Sequence, residues 1–248
     1  MSMYVVSHKN VDLILPEDYR IIAVGNDKDK VVNKNFSDNI GDNIAYKNSS
    51  YCELTALYWL WKNSSDNKFG LCHYRRLFIF EELGNNDIVP FSELSELLKK
   101  YDIILPPIYH NDTTVYNHYV TSHKESDIYN VGKIINDVYP NYSESFSYVM
   151  NGKNEYGFNI FASNRELMDE YCIWVFDILR RLESITDITG YDDYQKRIFG
   201  FLSERLFTTW IHHRKLSIKE LPIKNPEHSE EKIYQKKLSK LTRPEYVL

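Results

Sequence analysis

The sequence predicts an α/β fold, a mixed sheet flanked by helices and completed by a helical C-terminal part. Three observations carry this. Short apolar runs of strand type alternate with helical stretches through the first half, the pattern of a sheet with parallel content. The first runs end in polar or turn-forming residues, Ser7-His8-Lys9 and Gly25-Asn26. The second half turns mostly helical, over Tyr116 to Val138, Arg165 to Leu182 and Asp192 to His212.

Taken in order, Met3 to Ser7 and Tyr19 to Val24 are the first two strands. Asp27 to Ile44 is polar and rich in Asn and Asp, too irregular for a buried element, and reads as a loop able to close over a ligand. Leu54, Leu57, Tyr58 and Trp61 recur at helical spacing, which predicts a helix over Glu53 to Lys62, capped by Asn48, Ser49 or Ser50 and stopping near Asn63. Phe69 to Cys72 is a short apolar strand delivering His73, Tyr74, Arg75 and Arg76 at its carboxyl end, where open α/β sheets bind ligands. Ser92 to Lys100 predicts a helix capped by Ser92, and Asp102 to Leu105 a strand stopped by Pro106 and Pro107. Glu155 to Ala162 resembles a strand, and Ser217 to Pro222 suggests a late one. Beyond Pro226 the chain is charged, with a weak apolar stripe of Ile233, Tyr234, Leu238 and Leu241.

A chain of 248 residues suffices for one large domain, assigned to residues 1–225, with 226–248 as a charged tail. A net charge of -5 argues against a general nucleic-acid binder. The first residues contain no signal-peptide h-region, and no stretch approaches the ~20 apolar residues of a membrane span, so a cytoplasmic protein is expected. Cys52, Cys72 and Cys172 lie in apolar surroundings without metal-ligand spacing and read as reduced core thiols. Twenty tyrosines suit either core packing or sugar recognition, since an aromatic face covers the C–H face of a pyranose while the hydroxyl stays free.

The segments YCELTALYWLWKN and GLCHYRRLF resemble a family of bacterial capsular polysaccharide and exopolysaccharide synthesis proteins described as glycosyltransferases. The resemblance continues through YDIILPP (Tyr101 to Pro107), Tyr156 to Leu179 and Tyr194 to Ile211, and so spans nearly the whole chain. It implies a GT-A-like architecture, with residues 1–110 as the nucleotide-sugar-binding half and 111–225 as the acceptor and catalytic half. In GT-A transferases a comparable strand ends in an Asp-x-Asp motif holding a divalent metal on the diphosphate. Here that place carries His73-Tyr74-Arg75-Arg76, so side chains could supply the positive charge instead of Mn²⁺ or Mg²⁺.

His73, Arg75 and Arg76 form the sharpest cluster, because cations at a strand end neutralise a diphosphate and its charge as a leaving group. Strand alternation puts His73 with Arg75 and Tyr74 with Arg76, so one arginine is expected to face the ligand. The alternative is an arginine paired with a buried carboxylate such as Glu53, itself also a candidate helix-dipole partner. Ser7, His8, Lys9, Asp38, Asp42, Asn43 and Asn48 are candidates to read ribose or a uracil edge, with turn formation as the competing role. Asp27-Lys28-Asp29 matches Asp-x-Asp but sits early, in a solvated loop, and no metal ligand is assigned. For the catalytic base, Asp193 is preferred and Glu204 comes second; with Arg197 they are spaced to share one helical face, a spacing that equally fits a surface ion pair. Asn159, polar in an apolar strand, is a candidate for sugar contact or a buried, satisfied amide. His110, His118 and His123 fit no zinc spacing. A hydrolase elbow, a Walker loop and a dinucleotide fingerprint are absent.

The reading is a hexosyltransferase that moves galactose, in pyranose or furanose form, from a UDP-sugar to a lipid-linked capsular, exopolysaccharide or O-antigen glycan. Peripheral contact with the inner membrane could come from Lys232, Lys236, Lys237, Lys240 and Arg243, against a solvated or partner-packed tail. The rival classes are a non-catalytic nucleotide- or glycan-binding module and a structural partner in a polysaccharide assembly complex.

Overall fold

The computed structural model describes residues 1–80 and 87–225. The expectations for the tail at 226–248 lie outside the described residues. The strands are β1 (Ser2–Ser7), β2 (Tyr19–Ala23), β3 (Phe36–Ser37), β4 (Lys68–His73), β5 (Leu77–Phe78), β6 (Ile103–Leu105), β7 (Tyr109–His110), β8 (Asn154–Glu155), β9 (Phe161–Asn164), β10 (Ile218–Glu220) and β11 (Ile223–Lys224). The helices are α1 (Asn48–Tyr51), α2 (Leu54–Asn63), α3 (Phe91–Leu97), α4 (Val115–Ser122), α5 (Glu125–Val138), α6 (Ser143–Asn151), α7 (Arg165–Ile185) and α8 (Ile198–Arg214).

Seven strands form the central sheet in the order β10-β6-β9-β4-β1-β2-β3. β1 runs parallel to β2 and β4, while β9 is antiparallel to both β4 and β6. The carboxyl ends of β1, β2, β3, β4, β6 and β10 therefore share one edge, and the amino end of β9 joins them there. Alternation divides the side chains between two faces. Tyr4, Val6, Ile22, Phe69, Leu71, Ile103, Leu105 and Phe161 enter the larger core with Leu54, Leu57 and Leu60 of α2 and the buried stripes of α5, α7 and α8. Met3, Val5, Ile21, Cys72, Ile104 and Ala162 face the smaller core, closed by Phe91 and Leu94 of α3 and by Leu77, Phe78 and Ile223. The mixed α/β class and the helical C-terminal part follow the sequence expectation. No helix among the described residues is long and apolar enough to cross a membrane.

Several local expectations are corrected. Phe36–Ser37 in the Asn-rich segment pairs with β2 as an edge strand and buries Ser37 and Asp38. Asn48 does not cap α2: it begins the separate turn α1, and Cys52, at φ 51° and ψ -131°, breaks the chain before Leu54. The Asn48 amide spans that break, donating to the Cys52 carbonyl at 2.9 Å and to Thr55 Oγ1 at 3.0 Å. Ser92 is not the α3 cap either. Pro90 holds that position at φ -60°, and the Ser92 N–H donates to Asp18. The strand expected over Glu155 to Ala162 is split into β8 and β9 by a turn in which Phe158 (φ 73°) and Asn159 (φ 51°) are both left-handed. The last long helix starts at Ile198 rather than near Asp192, after a 3₁₀ turn over Gln195–Arg197.

Candidate active site

The carboxyl edge of the sheet gathers the cations. β4 ends at His73, and the Arg76 N–H returns to the His73 carbonyl at 2.8 Å, so the chain turns at once instead of continuing as a strand. This corrects the alternation expected for HYRR: Arg76 swings back to lie 4.0 Å over the Phe158 ring, and Arg75 sits 5.3 Å from the Tyr74 ring. From β1, Lys9 reaches the same Tyr74 ring at 5.0 Å and His8 meets it edge-on at 5.4 Å. Burial first, then the positive fields of Arg76, Arg75 and Arg197, drive the His73 imidazole down to about 3, so it is neutral at physiological pH. His73 is hydrogen-bonded to the Phe158 backbone, and its Nε2 is buried with no hydrogen-bond partner among the described residues.

Beside β2 the chain narrows at Gly25. Its φ of +79° and a distance of 3.0 Å from its missing Cβ position to Asn48 Oδ1 leave no room for a side chain. Gly25, Asn26, Lys28, Asn43, Tyr46 and Asn48 are among the residues lining a depression of about 380 Å³ there.

Two carboxylates stand beneath the cations. Glu53, at the start of α2, accepts the Asn159 amide at 2.6 Å, and that amide also reaches Ser203 Oγ at 2.9 Å. Glu204 of α8 accepts the Phe158 N–H at 2.7 Å with one oxygen and Arg205 at 2.8 Å with the other. Burial raises both carboxyls above their ordinary range; the field of Glu53 pushes Glu204 up further, while Asn159, Arg197 and Arg76 hold Glu53 back. Glu204 thus fastens the left-handed turn, and the turn presents Asn159 to Glu53. Two non-glycine residues in that conformation are unfavourable by about 1–2 kcal/mol each, so they persist because their neighbours fix them.

A second network runs outward from Arg205. Its Nε lies 3.1 Å from Glu155 Oε2, and Glu155 Oε1 meets His118 at 3.0 Å and Asn111 at 2.8 Å. Arg197, just before α8, donates to Cys52 Sγ at 3.4 Å and lies 5.1 Å from the Phe201 ring. Cys52 is therefore not fully buried like Cys72 and Cys172: it is half-buried against Arg197, and burial raises its thiol to about 11.

The structure brings His73, Arg75, Arg76, Arg197, Glu204 and Asn159 together from the residues singled out in the sequence, and adds Glu53, which the sequence left as a helix-dipole or arginine partner. Others go elsewhere. Asp193 does not share a helical face with Arg197 and Glu204, because the helix starts after it; its side chain is fully exposed, 3.6 Å from Lys196. Asp38 is fully buried and accepts Thr55 Oγ1 at 2.6 Å, which removes it from a ribose-facing position. Ser7 is buried and donates to the Lys9 carbonyl, and Asn43 closes a turn between Gly41 and Ala45 while still lining the depression. Asp42 accepts Tyr58 Oη. Asp27 pairs with Lys30 at 2.7 Å in solvent. His110 bonds Asn154, His118 bonds Glu155, and His123 stacks on Phe201 at 4.1 Å.

The mixed sheet with cations at its carboxyl edge and helices on both faces makes this an α/β domain. The chain belongs to the DUF4422 family, a domain of unknown function, which matches residues 2–215. It is similar to the apo structure of WbbM, a bifunctional glycosyltransferase, with a TM-score of 0.79 and 27% sequence identity. That match covers 89% of this chain and 44% of the WbbM chain, so the present chain corresponds to less than half of it. No curated protein matches the sequence.

Proposed function

We propose that the protein is a glycosyltransferase that moves a hexose, galactose first in pyranose or furanose form, from a UDP-sugar to a lipid-linked capsular, exopolysaccharide or O-antigen glycan. The observation that carries this is the convergence of Arg75, Arg76 and Arg197 on neutral His73, with Arg76 and Arg197 acting also on the buried carboxylate of Glu53. The likeness to a bifunctional glycosyltransferase supports the same class. Three guanidinium groups match the charge of a diphosphate, and His73 stays neutral beside them. The depression around Gly25 and Tyr46 supplies the amides of Asn26 and Asn39 for a pyrimidine edge and a ring for stacking.

Glu53 takes the role of base in this reading, in place of the solvent-exposed Asp193. Both oxygens of Glu204 are already engaged, which leaves one carboxylate with capacity to accept a proton and favours a single displacement. The acceptor hydroxyl gives its proton to Glu53 as its oxygen bonds the anomeric carbon. The bond from that carbon to the phosphate oxygen breaks, and UDP leaves with the electron pair, its new charge held by the arginines. The raised affinity of Glu53 for a proton suits the task, since a stronger base near neutral pH is the better acceptor.

The test is a thermal-shift panel of UDP-sugars, each with Mn²⁺ and with EDTA, followed by turnover assays of any binder. At a hundred times its Kd a donor stabilises the fold by about 2.7 kcal/mol. A UDP-galactose shift that persists in EDTA supports charge supply by arginine. A shift that requires Mn²⁺ transfers that role to a metal and to carboxylates such as Asp27 and Asp29, and no shift with any nucleotide sugar favours a glycan-binding or structural role.

A further inference from the structure

In the depression beside β2, the polar groups that flank Gly25 are set in a fixed sense. Asn48, one of its lining residues, gives both amide hydrogens to protein acceptors, the Cys52 carbonyl at 2.9 Å and Thr55 Oγ1 at 3.0 Å. A backbone carbonyl can only accept, so the NH₂ faces Cys52 and the amide cannot be turned round. The side-chain oxygen is thereby directed the other way, and it lies 3.0 Å from the missing Cβ position of Gly25, a second lining residue. There Asn48 Oδ1 receives no hydrogen bond among the described residues.

This oxygen is held from the core. Thr55 donates to Asp38 Oδ2 at 2.6 Å, and both residues are fully buried, so the acceptor that anchors Asn48 cannot drift. Lys28 lines the same depression; its Nζ donates to the Gly25 carbonyl at 3.3 Å, and its charge acts on the buried Asp38. An ammonium carries three donors, and the Gly25 carbonyl takes one of them. Gly25 therefore has a fixed acceptor over its α-carbon and a charged donor at its carbonyl, both bordering one cavity.

An acceptor beside a donor complements an imide edge, in which an N–H stands between two carbonyls. We infer that Asn48 Oδ1 accepts the N3–H of uracil while Lys28 donates to a neighbouring carbonyl, which makes these two residues the determinants of base specificity. This rests on the UDP-sugar reading and deepens it. The other carbonyl falls to the amides of Asn26 and Asn39 on the same rim. Cytosine in that position turns a bare ring nitrogen on the Asn48 oxygen and an amino group on the Lys28 ammonium, so acceptor meets acceptor and donor meets donor.

The experiment is isothermal titration calorimetry of the full chain, in buffer with Mn²⁺, against UDP, CDP and the diphosphate of 3-methyluridine. UDP binds about 10- to 100-fold tighter than either of the others, since methylation removes the N–H and crowds the Asn48 oxygen. Lys28→Met, which leaves the buried chain from Asn48 to Asp38 in place, narrows the lead of UDP over CDP at least about threefold. Loss of positive charge alone would weaken both nucleotides alike, so an unchanged ratio overturns the part given to Lys28. Equal binding of UDP and its 3-methyl analogue, or of UDP and CDP, overturns the base assignment while the donor reading stands. A folded protein that binds none of the three overturns the UDP-sugar reading and this inference with it.

Discussion

Replacing Glu53 by glutamine tests the centre of the mechanism. The substituted side chain keeps its length and an oxygen for the Asn159 amide, which bonds Glu53 at 2.6 Å in the wild type, but it cannot accept the acceptor's proton. Loss of a general base lowers the chemical step about 10²- to 10⁴-fold, equivalent to about 3–5 kcal/mol of barrier. Stability moves the other way. Because burial raises the folded-state pKa of Glu53, the ionised group opposes folding at neutral pH, and its protonation stabilises the fold as pH falls through that pKa. A glutamine amide is free of this opposition, so Tm is unchanged or higher at pH 7, and donor affinity is retained because Arg76 and Arg197 remain. The assay is single-turnover transfer at saturating donor, followed across pH, alongside a thermal melt. Wild-type transfer rises with pH through the Glu53 ionisation, and the variant lacks that limb. A folded Glu53→Gln protein that transfers within about tenfold of wild type refutes the assignment. Asp193→Asn run in parallel would then identify the exposed aspartate as base if it alone abolished transfer.

Arg76→Met, which removes the guanidinium above Phe158, weakens UDP binding about 10- to 100-fold with little change in Tm; equal affinity by calorimetry would restrict Arg76 to a structural part. Asn159→Ala loses bonds to Glu53 and Ser203 while keeping a left-handed backbone, and costs about 2–4 kcal/mol in urea unfolding. Asn159→Gly relieves the backbone and costs less, so a glycine variant weaker than the alanine one would contradict this account of the turn. His73, neutral in the fold, favours the unfolded state once free histidine protonates: its contribution is intact above about pH 6.5 and declines toward pH 3, by about 5 kcal/mol at the limit. His73→Gln therefore flattens this part of the pH–stability curve, measured as the difference from wild type because Glu53 and Glu204 act in the opposite sense.

The sheet and the long helices were legible because their information is local. Leu54, Leu57 and Leu60 on α2, or Tyr171, Val175 and Ile178 on α7, announce a buried face by spacing alone. The cations at the end of β4 were legible for a related reason, since a strand's carboxyl end follows from where its apolar run stops. What failed was whatever depends on a partner distant in sequence. Glu53 gains its character from Asn159, more than a hundred residues away, and Asp38 is spent on Thr55. Arg76 lies over Phe158 because of a turn that strand alternation cannot foresee. Asp193 had a plausible helical spacing, yet the helix begins five residues later. Cys52 shows the limit most plainly: an apolar neighbourhood in sequence became a conformational break against Gly200, whose missing Cβ position lies 3.2 Å from the thiol sulfur.

The reversed strand β9 has a consequence for how such a domain is inherited and rebuilt. It arrives from the second half of the chain yet lies between β4 and β6, both from the first. Cutting the chain near residue 110 would strip a strand from the middle of the sheet and leave two raw hydrogen-bonding edges inside the protein. The two halves cannot be exchanged between relatives as cassettes. A graft meant to alter acceptor choice has to keep β9 and its entry turn with the recipient sheet, and confine the swap to the loops and helices that rise above it.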